Sequence, residues 1–168
     1  MKKLILLLPL CLLLVLSSCS KKSTPTPASG GTGTITVTIG GSAQTFNVNA
    51  YATYQVLDGL NFITLYGSKS SGSADKIEVA IVNPSIVNGT TYTGVASQVQ
   101  LTYTLASGAV YQYADDDAAA FVSVLIKSFT GTNVQGTFSG NLNLISGSGA
   151  ATQTLTNGIF NLRVETAD

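Results

Sequence analysis

Residues 119–144, AAFVSVLIKSFTGTNVQGTFSGNLNL, carry the reading on which the fold turns. Two runs rich in β-branched and aromatic residues flank Gly131-Thr132, and their apolar residues recur at a period of two rather than 3.6. A two-residue loop with glycine first suits a type II′ turn. That turn sets Thr130 against Asn133 and predicts a β-hairpin pairing Phe121 with Leu142, Leu125 with Phe138 and Phe129 with Val134 on one apolar face. The other face then pairs Val122, Val124 and Ile126 with Asn141, Ser139 and Thr137. Strand 119–129 is apolar on both faces and is predicted to lie centrally, with Leu125 in the core, whereas 135–144 has one face suited to water.

The same period extends in both directions. Ile35, Val37 and Ile39 alternate with threonines, Gly40-Gly41 interrupts them, and Phe46, Val48 and Ala50 resume, which reads as a hairpin. Further strands are predicted over 62–67, 76–82, 90–95, 99–105, 110–113 and 158–164. Between the export signal described next and the C-terminus, no window of ten or more residues shows a helical stripe. About ten short strands separated by Gly, Ser and Asn turns predict an all-β domain over 34–168, an antiparallel β-sandwich, with a β-barrel as the alternative.

The N-terminus has a different character. Lys2 and Lys3 precede an apolar run over 4–16, then Ser17, Ser18 and Cys19. The run has 13 residues, short of the roughly 20 needed to cross a bilayer as a helix, so 1–18 reads as an export signal. Leu16-Ser17-Ser18-Cys19 resembles a bacterial lipobox, which implies cleavage before Cys19 and acylation of its thiol. Residues 19–33 then comprise the acylated cysteine and a linker of Ser, Thr, Pro, Gly, Ala and lysine without a large apolar side chain. A coil of 14 residues spans roughly 20 Å on average.

Cys11 leaves with the signal, so the mature chain has no thiol left for a disulfide, and its stability must come from a packed core. Six basic residues remain against eight acidic ones, a net charge of −2. No basic stripe exists to neutralise phosphates, so nucleic acid is not expected as a partner; the membrane, through the lipid, is.

The absence of histidine excludes imidazole chemistry, and lipid consumes the remaining thiol. No P-loop or serine elbow is present, no cofactor is expected and no catalytic residue is assigned. Asp115, Asp116 and Asp117 are the candidate metal ligands, since a hard cation takes several carboxylate oxygens. Adjacent residues on an extended chain point to opposite faces and the spaced pattern of a calcium loop is missing, which favours a solvated loop. Asp58, Asp75, Glu78, Glu165 and Asp168 are the other carboxylates from which a hydrolytic pair would come, and their spacing selects none. Tyrosine rings suit sugar stacking; Tyr111 and Tyr113, on one face of a predicted strand, are the candidate ligand-binding residues, with Tyr51 and Tyr54 near another. Strand propensity accounts for the same tyrosines as structural residues.

The turn-and-strand motifs Ile39-Gly40-Gly41, Gly89-Thr90-Thr91-Tyr92, Gly136-Thr137-Phe138-Ser139-Gly140 and Thr156-Asn157-Gly158-Ile159-Phe160-Asn161 span most of the mature chain. In this layout the sequence resembles the uncharacterised small lipoproteins of Bacteroidota. The resemblance implies an all-β fold and a cell-envelope location, and it transfers no site. Ser20 stands where aspartate signals inner-membrane retention in many diderm bacteria, so the outer membrane is the expected destination. Lys21 and Lys22 stand where surface-displayed lipoproteins of that group have acidic residues, which leaves the periplasmic and surface faces both open. The expected function is a non-catalytic envelope lipoprotein with a binding or structural role toward a protein or glycan. The alternatives are a paired-carboxylate hydrolase and a pilus-type subunit.

Overall fold

The computed structural model describes residues 33–70, 75–95, 98–114, 117 and 119–166. The export signal, Cys19, the linker to residue 32, Asp115, Asp116 and Asp168 lie outside the described residues. The described chain is all-β. Its strands are β1 (Thr34–Ile39), β2 (Ser42–Phe46), β3 (Val48–Leu57), β4 (Leu60–Ser68), β5 (Lys76–Asn83), β6 (Thr90–Thr93), β7 (Val99–Thr104), β8 (Val110–Gln112), β9 (Phe121–Phe129), β10 (Asn133–Ser146) and β11 (Thr152–Thr166).

These form one 11-stranded sheet in the order β2-β1-β11-β3-β4-β5-β7-β8-β10-β9-β6, with β11 also paired to β10. The two longest strands make this continuity possible. β10 has 14 residues and pairs with β9 along its first part and with β8 along its last; β11 has 15 and passes from β1 to β3 along one edge. Following the pairings from β11 through β3, β4, β5, β7, β8 and β10 leads back to β11. The β3–β11 pair is parallel, with Val164 opposite Ala52, whereas the other pairs are antiparallel. Only Asn47 separates β2 from β3, so the chain keeps the direction of β2, which is antiparallel to β1 and therefore parallel to β11.

Alternation fills the interior as a period of two requires. Ile35, Val37 and Ile39 of β1, Ile77, Val79 and Ile81 of β5, and Phe160, Leu162 and Val164 of β11 are all buried, and no polar or charged residue is buried among the described residues. At about 25 cal/mol per Å² of apolar surface removed from water, such a core is the main stabilising term.

The hairpin over 119–144 forms at the predicted turn, with Gly131 at φ 83° and Thr130 N donating to Asn133 O at 3.0 Å. Its predicted register survives for only two pairs, Phe129 with Val134 and Ser128 with Gln135. A bulge between Gln135 and Gly136 then inserts Lys127, and the pairs become Ile126 with Gly136, Leu125 with Thr137, Val124 with Phe138 and Phe121 with Asn141. A one-residue slip exchanges the faces. Val122, Val124 and Ile126 are buried, whereas Phe121 is 47% exposed and Leu125, predicted to lie in the core, is only half-buried. The reason lies in β10, whose inward positions are Val134, Gly136, Phe138, Gly140 and Leu142. With the slip, the β-branched Val122 and Ile126 oppose the two glycines, and large meets small across the strands. β9 is also not central, since it stands between β10 and the short edge strand β6.

One ion pair fastens the β4–β5 connection. Lys69 Nζ lies 2.7 Å from Asp75 Oδ2, the side chains being 26% and 17% exposed, and Ala106 N donates to Asp75 Oδ1 at 2.5 Å. The hydrogen bond from Lys69 holds the Asp75 carboxyl below its usual value despite a smaller opposing effect of burial. Burial acts to lower the Lys69 pKa, but the hydrogen bond to Asp75 and nearby charge outweigh it, and the net shift is upward. A depressed carboxyl contributes stability above its unfolded value of about 4 and loses it as pH falls through the folded value. Asp75→Asn is therefore expected to cost on the order of 1 kcal/mol at neutral pH. In urea unfolding the gap from the parent should narrow as pH falls below about 4; a gap that stays constant into that range would refute the linkage.

Candidate functional site

Both candidate tyrosines pack toward the core. Tyr111 is 1% exposed and stacks on Tyr103 with ring centroids 6.3 Å apart. The shared face of Tyr111 and Tyr113 thus proves to be the inward one. Tyr113 is half-buried with its ring against Gly94, where a Cβ would overlap it. Tyr54 is occupied too: its hydroxyl donates to Asn61 Oδ1 at 2.5 Å and its ring packs on Phe129 at 5.0 Å.

Asp117 closes a turn. Its Oδ1 accepts from Ala119 N at 2.8 Å and its Oδ2 from Asn143 Nδ2 at 2.6 Å, and these two bonds hold its pKa below the usual carboxylate value. Each carboxylate oxygen thus accepts one hydrogen bond, while the other two candidates, Asp115 and Asp116, lie outside the described residues. Among the described residues no group of three or more His, Cys, Asp or Glu has a metal-binding arrangement.

The structure does assemble a site around Tyr51. The hairpin of β3 and β4 turns at Asp58-Gly59, both with positive φ (52° and 77°), as a type I′ turn requires. That turn sets Leu57 against Leu60, Thr53 against Thr64 and Tyr51 against Tyr66. Ala50, Ala52, Ile63 and Leu65 take the inward positions, so the two tyrosines share the outer face. Their rings stack with centroids 5.0 Å apart and an interplanar angle of 29°. Glu78 is the next residue across, opposite Tyr66, and Lys76 opposes Ser68 one step along. Asn49, at φ 48° beside an irregularity in the β3–β4 ladder, completes the rim. Together Asn49, Tyr51, Tyr66, Ser68, Lys76 and Glu78 border a groove of about 230 Å³ floored by Gly67 and Ile77.

Burial, then the neighbouring Tyr66, Glu165 and Glu78, all raise the Tyr51 pKa. Its hydroxyl is therefore a neutral donor throughout the physiological range. The two glutamates stand on opposite sides of the pair, Glu165 on β11 and Glu78 on β5. Three strand spacings, about 14 Å, separate their strands, and Glu165 is opposite Thr53, two residues along β3 from Tyr51.

Sequence reading named Tyr51 and Glu78 only as members of larger sets and did not single out Tyr66. The signal was present in Asp58-Gly59, among the strongest short hairpin signals. Counting outward from that turn pairs Tyr51 with Tyr66 directly.

A larger groove, about 370 Å³, crosses the outer face of β9, β10 and β11 between Leu125, Thr137, Ser139, Asn157 and Ile159. Its lining has no charged side chain, and its one aromatic ring, Phe138, belongs to the core. No family model, no curated protein and no solved structure matches the chain.

Proposed function

We propose that the protein is a lipid-anchored component of the bacterial cell envelope whose β-domain binds a partner without transforming it. The observation that carries the reading is the stacked Tyr51–Tyr66 pair on an open outer face, flanked by Glu78 and Glu165. Aromatic rings with polar tips, held by strands rather than loops, present a recognition surface at little cost in conformational entropy. The anchor is the acyl group on Cys19, the linker over 20–33 holds the domain clear of the headgroups, and the outer membrane is the proposed destination.

Labelled fatty acid is expected to enter the protein in its host, and Cys19→Ser to abolish the incorporation. Continued labelling of the serine variant would overturn the anchor. Membrane fractionation should recover the parent with the outer membrane, and recovery with the inner membrane would refute that destination. Pull-down from native envelopes should yield a partner that Tyr66→Ala no longer captures; equal capture by parent and variant would remove this face from the function.

A further inference from the structure

We infer that the groove beside Tyr51 and Tyr66 is a subsite for a single uncharged pyranose ring of a longer glycan, an inference that rests on the binding reading above. Four features of the groove specify that chemistry.

The first is size. About 230 Å³ lies below the roughly 300–1,000 Å³ of pockets that enclose drug-sized ligands. The groove is open on the outer face of the sheet, so it holds about one ring while the rest of a chain continues into solvent.

The second is the pairing of an apolar wall with a mixed polar rim. Tyr51 and Tyr66 stack on each other, so each offers the C–H face of a sugar its edge and the π face turned away from its partner. Around them Glu78 only accepts hydrogen bonds, Lys76 only donates, and Asn49 and Ser68 do both. A ring bearing several hydroxyls, each donor and acceptor at once, satisfies this set.

The third is charge. Glu78 and Glu165 on either side of the rings oppose a carboxylate or phosphate ligand, and Lys76 opposes a cation. Neither Glu78 nor Lys76 is committed to an ion pair among the described residues, so both remain able to meet hydroxyls.

The fourth is that β4 and β5 are paired on both sides at this point. Tyr66 pairs with Tyr51 on one side and Glu78 on the other, so neither β4 nor β5 offers a free main-chain edge to an extended peptide here. Strand addition to β4 or β5 is thereby excluded.

The test is calorimetric titration of the full lipidated protein in detergent micelles with neutral tetrasaccharides of glucose, mannose, xylose and N-acetylglucosamine, with tetragalacturonate as the acidic contrast. At least one neutral tetrasaccharide is expected to bind with a Kd of about 1 mM or tighter. Tyr66→Ala should weaken it at least about tenfold, the scale of one good aromatic contact. Tyr66→Phe, which keeps the ring, should retain most of the affinity, and Glu78→Gln should not restore binding of tetragalacturonate to the level of the neutral sugar. Leu125→Ala, in the other groove, should leave affinity unchanged, which separates loss of the subsite from loss of the fold. Absence of binding by all neutral probes, preference for the acidic one, or indifference to Tyr66→Ala would each overturn the subsite. If neutral sugars fail while Tyr66→Ala still abolishes capture of an envelope protein, the sugar inference falls and the binding reading stands. If neither readout responds to Tyr66, both fall.

Discussion

Gly136→Ala is expected to destabilise the domain by about 3 kcal/mol or more, which is a large part of the 5–15 kcal/mol that holds a typical domain folded. Gly136 sits in β10 immediately after the bulge, opposite Ile126, with the ring of Phe160 on β11 over it. A Cβ at this position would overlap both the carbonyl oxygen of Leu125 and that ring. Phe160 is 1% exposed and has no alternative place to go, and a backbone carbonyl has no rotamer to change. Relief therefore requires the β9–β10 ladder to open at the point where the bulge sets its register. Gly140→Ala is the matched control: its nearest neighbour, the Phe121 carbonyl oxygen, would lie 3.1 Å from the new Cβ, and a small local shift accommodates it. Urea unfolding of the three proteins measures the difference. A loss below about 1 kcal/mol for Gly136→Ala, or one no larger than for Gly140→Ala, would refute the packing described.

The second large effect tests which face of β9 is inside. Ile126→Ala is expected to cost about 2 to 5 kcal/mol, because Ile126 is fully buried and a close-packed interior collapses only partly around the cavity left. Leu125→Ala should cost about 1 kcal/mol or less, since its side chain lines the open outer groove and already meets water. The register without the bulge predicts the opposite ranking. Measured unfolding free energies that place Leu125→Ala above Ile126→Ala would restore that register and sink the one observed.

Much of the strand pattern is legible because alternation is a local property. The predicted 76–82 and 99–105 fall within a residue of β5 and β7, and the Gly40-Gly41 and Gly131-Thr132 turns lie where glycine punctuation placed them. β11 begins at Thr152, six residues before the prediction, since Thr152 to Asn157 contains little apolar residue content and is held in the sheet by pairing with β10. Asp58-Gly59 held the register of β3 and β4, and with it the Tyr51–Tyr66 pair, in local sequence alone.

Alternation, turn glycines and the absence of histidine thus determined an all-β chain, its approximate strand limits and the chemistry closed to it. The tertiary structure decided which face of each strand is inside. Parity groups Tyr111 with Tyr113 and separates Leu125 from Ile126, but the direction of the core belongs to the whole sheet, and a single bulge at Lys127 reverses it for the rest of β9. It also decided which distant residues meet. Glu165 comes near Tyr51 because β11 outruns β1 and runs on beside β3, a contact fixed by strand length and sheet order rather than by any spacing along the chain.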